Sequence, residues 1–422
     1  MKRKDIIYFI FGISILALVV LSACNDFKTP PTMWDPNKSY PTGAVITSVL
    51  PVNSAIAGVR EIALIGKFSS NLDSNWIYFG SEQAIIKHLS TAADTLVVYR
   101  PAISGAFTID ATVLKADSIG KFSYNLESPI RSSDISAIAG TYLVMEAGKG
   151  DTMWIASKGY INMLLPNGTD LIPYKDTSYL KAKIGKTATD FAQNFSDMKF
   201  GPHGFLYATF NTTASNILYQ LHPDSATPVV YARFTASNST SKFDFNSNGD
   251  LYTGKSIGLF LVKPGSTPVA VGDYTGITFV EIRVINGYVY AANTTSLFRS
   301  QINPDGTVGS KQPVVNIAAD TNLTGCTISS FNLASDGTVF LSLLGNANYS
   351  LYILENGSLS PYYYLSNILP TGIDQLIWGG DRYLYLSRGK TGTSAATRLY
   401  RMGMAKEDNT PLHGAPYLGR SL

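Results

Sequence analysis

The chain has 422 residues, of which 45% are hydrophobic and 15% charged, so it can bury substantial cores and is not wholly disordered. Its length suits two or three domains. The formal net charge is +3, and it falls to +1 without the basic start of the chain. A chain this close to neutrality lacks the positive surface that nucleic acids require, so no nucleic-acid partner is expected.

The first 24 residues have the three parts of an export signal. Lys2–Lys4 is basic, Ile6–Leu21 is apolar, and small residues precede Cys24. The apolar run is shorter than the roughly 20 residues of a permanent membrane span. The stretch Leu21–Cys24 resembles the lipobox of bacterial lipoproteins. This resemblance implies a signal peptide at 1–23 and lipid on Cys24, and an uncleaved anchor helix is the alternative.

Residues 24–40 are predicted to be a tether, because they are polar and rich in proline. Several acyl chains on Cys24 would make membrane attachment stable, whereas a single chain gives marginal binding. We therefore expect a lipid-anchored protein outside the cytoplasm, at the outer membrane. The sequence leaves open whether it faces the cell surface or the periplasm.

Short apolar or alternating runs separated by turn residues fill residues 41–127, which is the pattern of a β-sandwich. The order of residues also resembles the IPT/TIG family of immunoglobulin-like domains, although Val59 follows Gly58 where the family often has a second glycine. The resemblance implies a spacer or interaction module. The matching stretches are Ile46–Pro51, Gly58, Ile62–Phe68, Ile77–Gly80, Thr95–Pro101 and Phe122–Tyr124.

After a predicted linker at 128–136, one unit repeats through residues 137–422: a strand, a glycine turn, an aromatic-bearing strand and a third strand. The aromatic anchors recur at intervals of 53, 45, 38, 50 and 45 residues, which matches propeller blades. The sequence therefore predicts an all-β chain, an Ig-like β-sandwich followed by a six-bladed β-propeller. The units resemble NHL-type propellers, and a seventh blade is the alternative. The anchors are Trp154, Tyr207, Tyr252, Tyr290, Phe340 and Tyr385.

The sequence contains no recognisable catalytic constellation, so no catalytic residues, metal ligands or cofactors are predicted. Asp244–Asp250 alternates oxygen-bearing side chains like a calcium loop, but it lacks the downstream bidentate glutamate and fits an ordinary hairpin. Glu281 could face the central channel, and a surface or salt-bridged role is favoured for it. Cys326 lies in an apolar run and is predicted to be a buried thiol.

Flat aromatic side chains are candidates for stacking on sugar rings, and Trp154, Tyr363 and Trp378 are the predicted ligand-binding residues, with core packing as the alternative at each position. The overall layout resembles accessory lipoproteins of Bacteroidetes glycan-uptake systems. This implies a binding role, a polysaccharide ligand and an outer-membrane transporter complex as a partner. The alternatives are a lactonase- or lyase-like propeller enzyme and a protein–protein scaffold or adhesin. The identity of the ligand stays open.

Overall fold

The computed structural model of the protein describes residues 40–415 except 59–60, 102, 128–129, 136–143, 158–159, 167, 176–194, 212–215, 223–224, 226, 235–241, 256, 346–347, 363–368, 370, 380–382, 389–397 and 405–411. The predicted signal peptide, Cys24 and nearly all of the tether lie outside the described residues. Within the described part, no helix is long and apolar enough to span a membrane. Helical structure there consists of single 3₁₀ turns at Leu72–Ser74, Lys149–Asp151, Pro202–Gly204, Ile317–Ala319 and Thr321–Leu323.

Nine strands form the first unit. They are β1 (Val45–Leu50), β2 (Ser54–Ile56), β3 (Glu61–Lys67), β4 (Asn75–Phe79), β5 (Glu82–Gln83), β6 (Ile86–Leu89), β7 (Thr95–Tyr99), β8 (Gly105–Val113) and β9 (Gly120–Glu127). They make a sheet of order β1-β3-β7-β6 and a sheet of order β2-β9-β8-β4-β5. Alternate residues of β3, β4 and β7 are buried, so each sheet turns one apolar face inward.

The two inner faces share one core. Ile62 and Leu64 from one sheet pack in the same cluster as Ile77 and Phe79 from the other, and all four are fully buried. The predicted stretches that begin at Ile46, Ile62, Ile77, Thr95 and Phe122 fall on β1, β3, β4, β7 and β9. The β-sandwich prediction is therefore confirmed, while membership of the IPT/TIG family stays a prediction.

The remaining strands form six four-stranded sheets, here called blades 1 to 6. Strand β10 (Ile130–Asp134) comes first along the chain. Blade 1 contains β11 (Val144–Ala147), β12 (Met153–Ser157), β13 (Tyr160–Leu164) and β14 (Leu171–Lys175). Blade 2 contains β15 (Phe195–Phe200), β16 (Leu206–Asn211), β17 (Asn216–Leu221) and β18 (Val229–Phe234). Blade 3 contains β19 (Lys242–Phe245), β20 (Leu251–Lys255), β21 (Gly258–Val262) and β22 (Val269–Val271).

The second half of the ring has the same plan. Blade 4 contains β23 (Glu281–Ile285), β24 (Tyr288–Ala292), β25 (Ser296–Gln301) and β26 (Gln312–Asn316). Blade 5 contains β27 (Cys326–Leu333), β28 (Val339–Gly345), β29 (Leu351–Glu355) and β30 (Ser358–Pro361). Blade 6 contains β31 (Ile373–Trp378), β32 (Tyr383–Arg388), β33 (Arg398–Gly403) and β10, in the order β10-β33-β32-β31. The six-bladed β-propeller and the all-β fold are confirmed.

Blade 6 is completed by a strand from the opposite end of the unit. β10 pairs antiparallel with β33, and Ile130 lies opposite Met402. The sequence predicted a linker at 128–136, and the structure corrects this for residues 130–134. A short polar stretch carries no strand signal of its own; it becomes a strand because β33 offers it an open edge. Among the described residues the sheets form no seventh blade.

The aromatic anchors lie between neighbouring blades, as the repeat pattern predicts. Tyr207 of blade 2 has its ring centroid 4.8 Å from that of Phe245 in blade 3, and both are buried. Gly201 makes room for this contact, because a Cβ there would lie 2.6 Å from a ring carbon of Phe245 and 2.7 Å from one of Tyr207. The glycine is thus needed for close packing between the blades, in addition to any role in the turn.

Candidate functional site

The innermost strand of every blade faces the axis of the propeller. These strands are β11, β15, β19, β23, β27 and β31, and each one contacts the inner strands of the two neighbouring blades. In a ring of six blades this arrangement encloses a central channel. The side chains of the six inner strands therefore decide what the channel can hold.

Charged residues occupy two levels of these inner strands. The first level consists of the residue that pairs with the aromatic anchor in each blade. These residues alternate between negative and positive charge through blades 1 to 4, and they are uncharged in blades 5 and 6. In blade order these residues are Glu146, Lys199, Asp244, Arg283, Asn332 and Ile377. At the second level, two residues earlier on each strand, lie Val144, Asp197, Lys242, Glu281, Ser330 and Gln375.

The signs at the two levels are complementary, so neighbouring charges are opposite both along a strand and between blades. We call the seven charged members the channel cluster. They are Glu146, Asp197, Lys199, Lys242, Asp244, Glu281 and Arg283, and every one of them is buried. Buried charges are stable only when they are paired and hydrogen-bonded, which makes their contacts decisive for the fold.

Lys199 lies at the centre of this cluster. Its Nζ is 3.1 Å from Asp197 Oδ1 on its own strand and 3.3 Å from Glu281 Oε1 on blade 4. It is also 3.7 Å from Glu146 Oε2 on blade 1. One ammonium group thus joins carboxylates from three different blades.

Arg283 connects opposite sides of the ring. Its Nη1 is 3.6 Å from Glu146 Oε2, and blades 4 and 1 face each other across a six-bladed ring. Its Nε is also 3.7 Å from Glu281 Oε1 on the same strand. A contact between opposite blades is feasible only if the side chains meet on the axis. The channel is therefore filled at this level by its own ion pairs.

Acidic members of the cluster also bind the backbone of the next blade. Asp197 Oδ2 accepts a hydrogen bond from the Phe243 amide at 2.9 Å, and Asp244 Oδ2 accepts one from the Val284 amide at 2.8 Å. In blade 5, Asn332 Nδ2 donates to a blade 6 carbonyl at 3.0 Å. These bonds link successive inner strands, so the cluster holds the blades in register as well as filling the axis.

The cluster shifts the pKa values of its members in opposite directions. Burial raises the pKa of Asp244 to about 7, although Arg283 and Lys199 act against this shift. Burial also tends to raise the pKa of Glu281, but Lys199 and Arg283 outweigh it and lower that pKa to about 2. The cluster contains four carboxylic acids and three basic side chains, so its net charge is zero when Asp244 is protonated and the other six members are ionised.

The raised pKa of Asp244 predicts that the free energy of unfolding depends on pH. Asp244→Asn should weaken this dependence, because asparagine does not titrate. Between about pH 4 and about pH 7 the folded protein binds a proton on Asp244 that the unfolded chain does not. The free energy of unfolding should therefore fall as pH rises through this window, by up to about 1.4 kcal/mol per pH unit. Urea unfolding of the wild-type chain and of Asp244→Asn at pH values on both sides of this window measures the effect. Parallel pH profiles of the two free energies of unfolding would contradict the raised pKa.

The predicted sugar-stacking residues have different environments. Trp378 is only 1% exposed and packs edge-on against Phe340 of blade 5, with ring centroids 5.9 Å apart. Its predicted role is therefore wrong, because a ring inside the core presents no face to a ligand. Trp154 is half-buried and lies edge-on to Tyr174 at 4.4 Å, so its role stays a prediction. Tyr363 lies outside the described residues.

The other candidate residues serve the fold. In the predicted calcium-like loop, Asn246 Oδ1 accepts hydrogen bonds from the amides of Asn248 and Asp250, which is an Asx-type turn. Glu281 is buried in the channel and salt-bridged there, so the channel position and the salt-bridged role hold together and a surface role is wrong. Cys326 is buried in the core of blade 5, and burial raises the pKa of its thiol. Among the described residues, no group of three His, Cys, Asp or Glu side chains could hold a metal ion.

Sequence reasoning missed the channel cluster as a unit, although a signal was present. Glu146, Lys199 and Asp244 each stand eight residues before an aromatic anchor, and Arg283 stands seven before Tyr290. Aligning the repeats on these anchors would have revealed the alternating charges. The pattern indicates an internal structural role because each charge has an opposite charge at the neighbouring position.

Comparisons with known proteins give structural neighbours of low similarity. No protein-family model matches the chain, and no curated protein matches it. A protein of unknown function from Bacteroides thetaiotaomicron is 11% identical, with a TM-score of 0.47 over 87% of this chain and 99% of that one.

Two further neighbours belong to different functional classes. An auxiliary nutrient binding protein from the same organism is 10% identical, with a TM-score of 0.47 over 88% of this chain and 99% of that one. Virginiamycin B lyase from Staphylococcus aureus is 8% identical, with a TM-score of 0.44 over 65% of this chain and 99% of that one. At these values the neighbours carry no argument for binding or for catalysis.

Proposed function

We propose that the protein is a lipid-anchored binding protein outside the cytoplasm, which holds a carbohydrate during nutrient uptake. Cys24 would carry the lipid, residues 24–40 would form the tether, and the two β units would extend from the membrane. The proposal of a carbohydrate ligand rests on the order of signal, tether, sandwich and propeller that the sequence indicates. An outer-membrane transporter complex is the partner that this role implies.

The filled channel is the observation that supports binding over catalysis. In a propeller enzyme the reacting groups need access to substrate. Here Lys199, Glu281 and Arg283 are buried in contact with one another. A side chain held in this way is not available as a nucleophile or a general base without breaking a buried ion pair. The surface of the molecule therefore offers the better place for a ligand.

Native affinity electrophoresis of the full-length chain tests the proposed function. We expect gels that contain soluble β-glucan, xyloglucan, α-mannan or starch to slow the protein, with at least one polysaccharide reducing its mobility relative to a gel without polysaccharide. Bovine serum albumin serves as the non-binding control. Unchanged mobility in all four gels would count against a carbohydrate-binding role.

A further inference from the structure

The outer face of the larger sandwich sheet carries two aromatic side chains on one strand. In β4, Asn75, Ile77 and Phe79 are buried in the sandwich, so Trp76 and Tyr78 point to the opposite side. Trp76 is 40% exposed, and Tyr78 is partly exposed. Their Cα atoms are about 6.6 Å apart along the strand, so the two rings can form one continuous surface.

Polar side chains surround these rings in a defined register. Across the sheet, Gln83, Tyr78, Asp110 and Lys121 lie in one row, because β5, β4, β8 and β9 pair in that order. Thr112 lies opposite Trp76. The row offers an amide, a carboxylate and an ammonium group beside an aromatic ring, so it can both donate and accept hydrogen bonds.

Opposite charges lie side by side on this face. Asp110 is partly exposed, and Lys121, its partner on the neighbouring strand, is exposed. The adjacent Lys121 has the opposite charge, so the face as a whole carries no strong potential.

We propose that Trp76 and Tyr78 form a platform that binds a neutral polysaccharide on the sandwich unit. Sugar rings combine apolar faces, which stack on aromatic rings, with hydroxyl groups that need both donors and acceptors. This face supplies both, and its opposite charges do not favour a polyanion. The inference rests on the proposed carbohydrate role and assigns that role to a particular surface.

A protein partner fits this surface less well. Protein interfaces have an apolar core surrounded by a polar rim and usually bury a large area. Here Asp110 and Thr112 lie directly opposite Tyr78 and Trp76, so polar side chains stand beside the rings where a protein interface would have its apolar core. The arrangement matches a ligand that alternates apolar and hydroxyl surfaces over short distances.

The test compares full-length Trp76→Ala with the wild-type chain in the same affinity gels. We expect the dissociation constant for the retarding polysaccharide to rise at least about tenfold, which corresponds to the loss of one good aromatic contact. Trp76→Phe should retain part of the binding, because a flat ring remains. Ile85→Ala is the matched control, since Ile85 is 70% exposed in the same unit but lies outside β4.

The outcomes separate this inference from the proposed function. Binding that is lost in Trp76→Ala and kept in Ile85→Ala supports the platform. Binding that persists unchanged in Trp76→Ala overturns the platform while leaving the carbohydrate role intact. If no polysaccharide slows the wild-type chain, both proposals fail. A fifth gel with polygalacturonate tests the charge of the ligand, and retardation in that gel alone would overturn the neutral ligand. Because Trp76 is on the surface, circular dichroism should show that both alanine variants remain folded.

Discussion

Lys199→Met is expected to lower the free energy of unfolding of the propeller by about 3–5 kcal/mol, the range typical of breaking a buried ion pair. Methionine fills a similar volume but removes the ammonium group. Glu146, Asp197 and Glu281 would then face one another with one fewer positive charge, since each lies within 3.7 Å of Lys199 Nζ. Urea unfolding followed by circular dichroism measures the effect.

A lysine on the surface provides the matched control. Lys87 forms an ion pair with Glu61 in the sandwich, and its side chain is 45% exposed. Because water already solvates that pair, Lys87→Met should change the free energy of unfolding by no more than about 1 kcal/mol. Equal effects of Lys87→Met and Lys199→Met would contradict the structural role of the channel cluster.

A double variant separates charge balance from packing. Adding Glu281→Gln to Lys199→Met removes one of the carboxylates that lost its contact with Lys199, so part of the lost stability should return. The two substitutions should therefore be less than additive in a double-mutant cycle, as expected for groups in direct contact. Simple additivity would instead attribute the effect of Lys199→Met to packing alone.

Cys24→Ser is expected to move most of the protein from the membrane fraction to the soluble fraction. A serine hydroxyl cannot receive the thioether-linked lipid, and the acyl chains are the predicted source of stable membrane attachment. Cell fractionation followed by immunoblotting measures the distribution, and metabolic labelling with a radioactive fatty acid should be lost in parallel.

The second cysteine supplies the control for this experiment. Cys326 is buried in blade 5, so Cys326→Ser should leave both the label and the membrane fraction unchanged if the variant folds. Continued membrane attachment of Cys24→Ser would instead support the uncleaved anchor helix. In that case the protein would also keep the apparent mass of the precursor.

The repeat pattern predicted much of the propeller because each blade obeys the same local rules. An aromatic anchor such as Tyr207 or Tyr252 follows a glycine turn, and a third strand with a bulky centre follows the anchor. Alternation within each strand places one set of side chains between the blades. These features depend on residues close together in the chain, so the sequence displays them directly.

Features that depend on distant partners were harder to predict. The segment Ile130–Asp134 became a strand only through pairing with Arg398–Gly403, far along the chain. Trp378 appeared to be a candidate for sugar stacking, but its burial depends on Phe340 in the preceding blade. The channel cluster likewise depends on contacts such as Arg283 with Glu146, which local periodicity does not reveal.

The pairing of β10 with β33 has a consequence for biogenesis. If the chain is exported as proposed, it emerges from its N-terminus, so the strand that completes the final sheet is outside long before its partner arrives. In that case the ring cannot close until almost the whole polypeptide has crossed the inner membrane, and its non-local contacts imply slow maturation. Export and completion of the ring are thus coupled in time, and a stalled or shortened chain would expose the apolar side of an unfinished assembly to proteases.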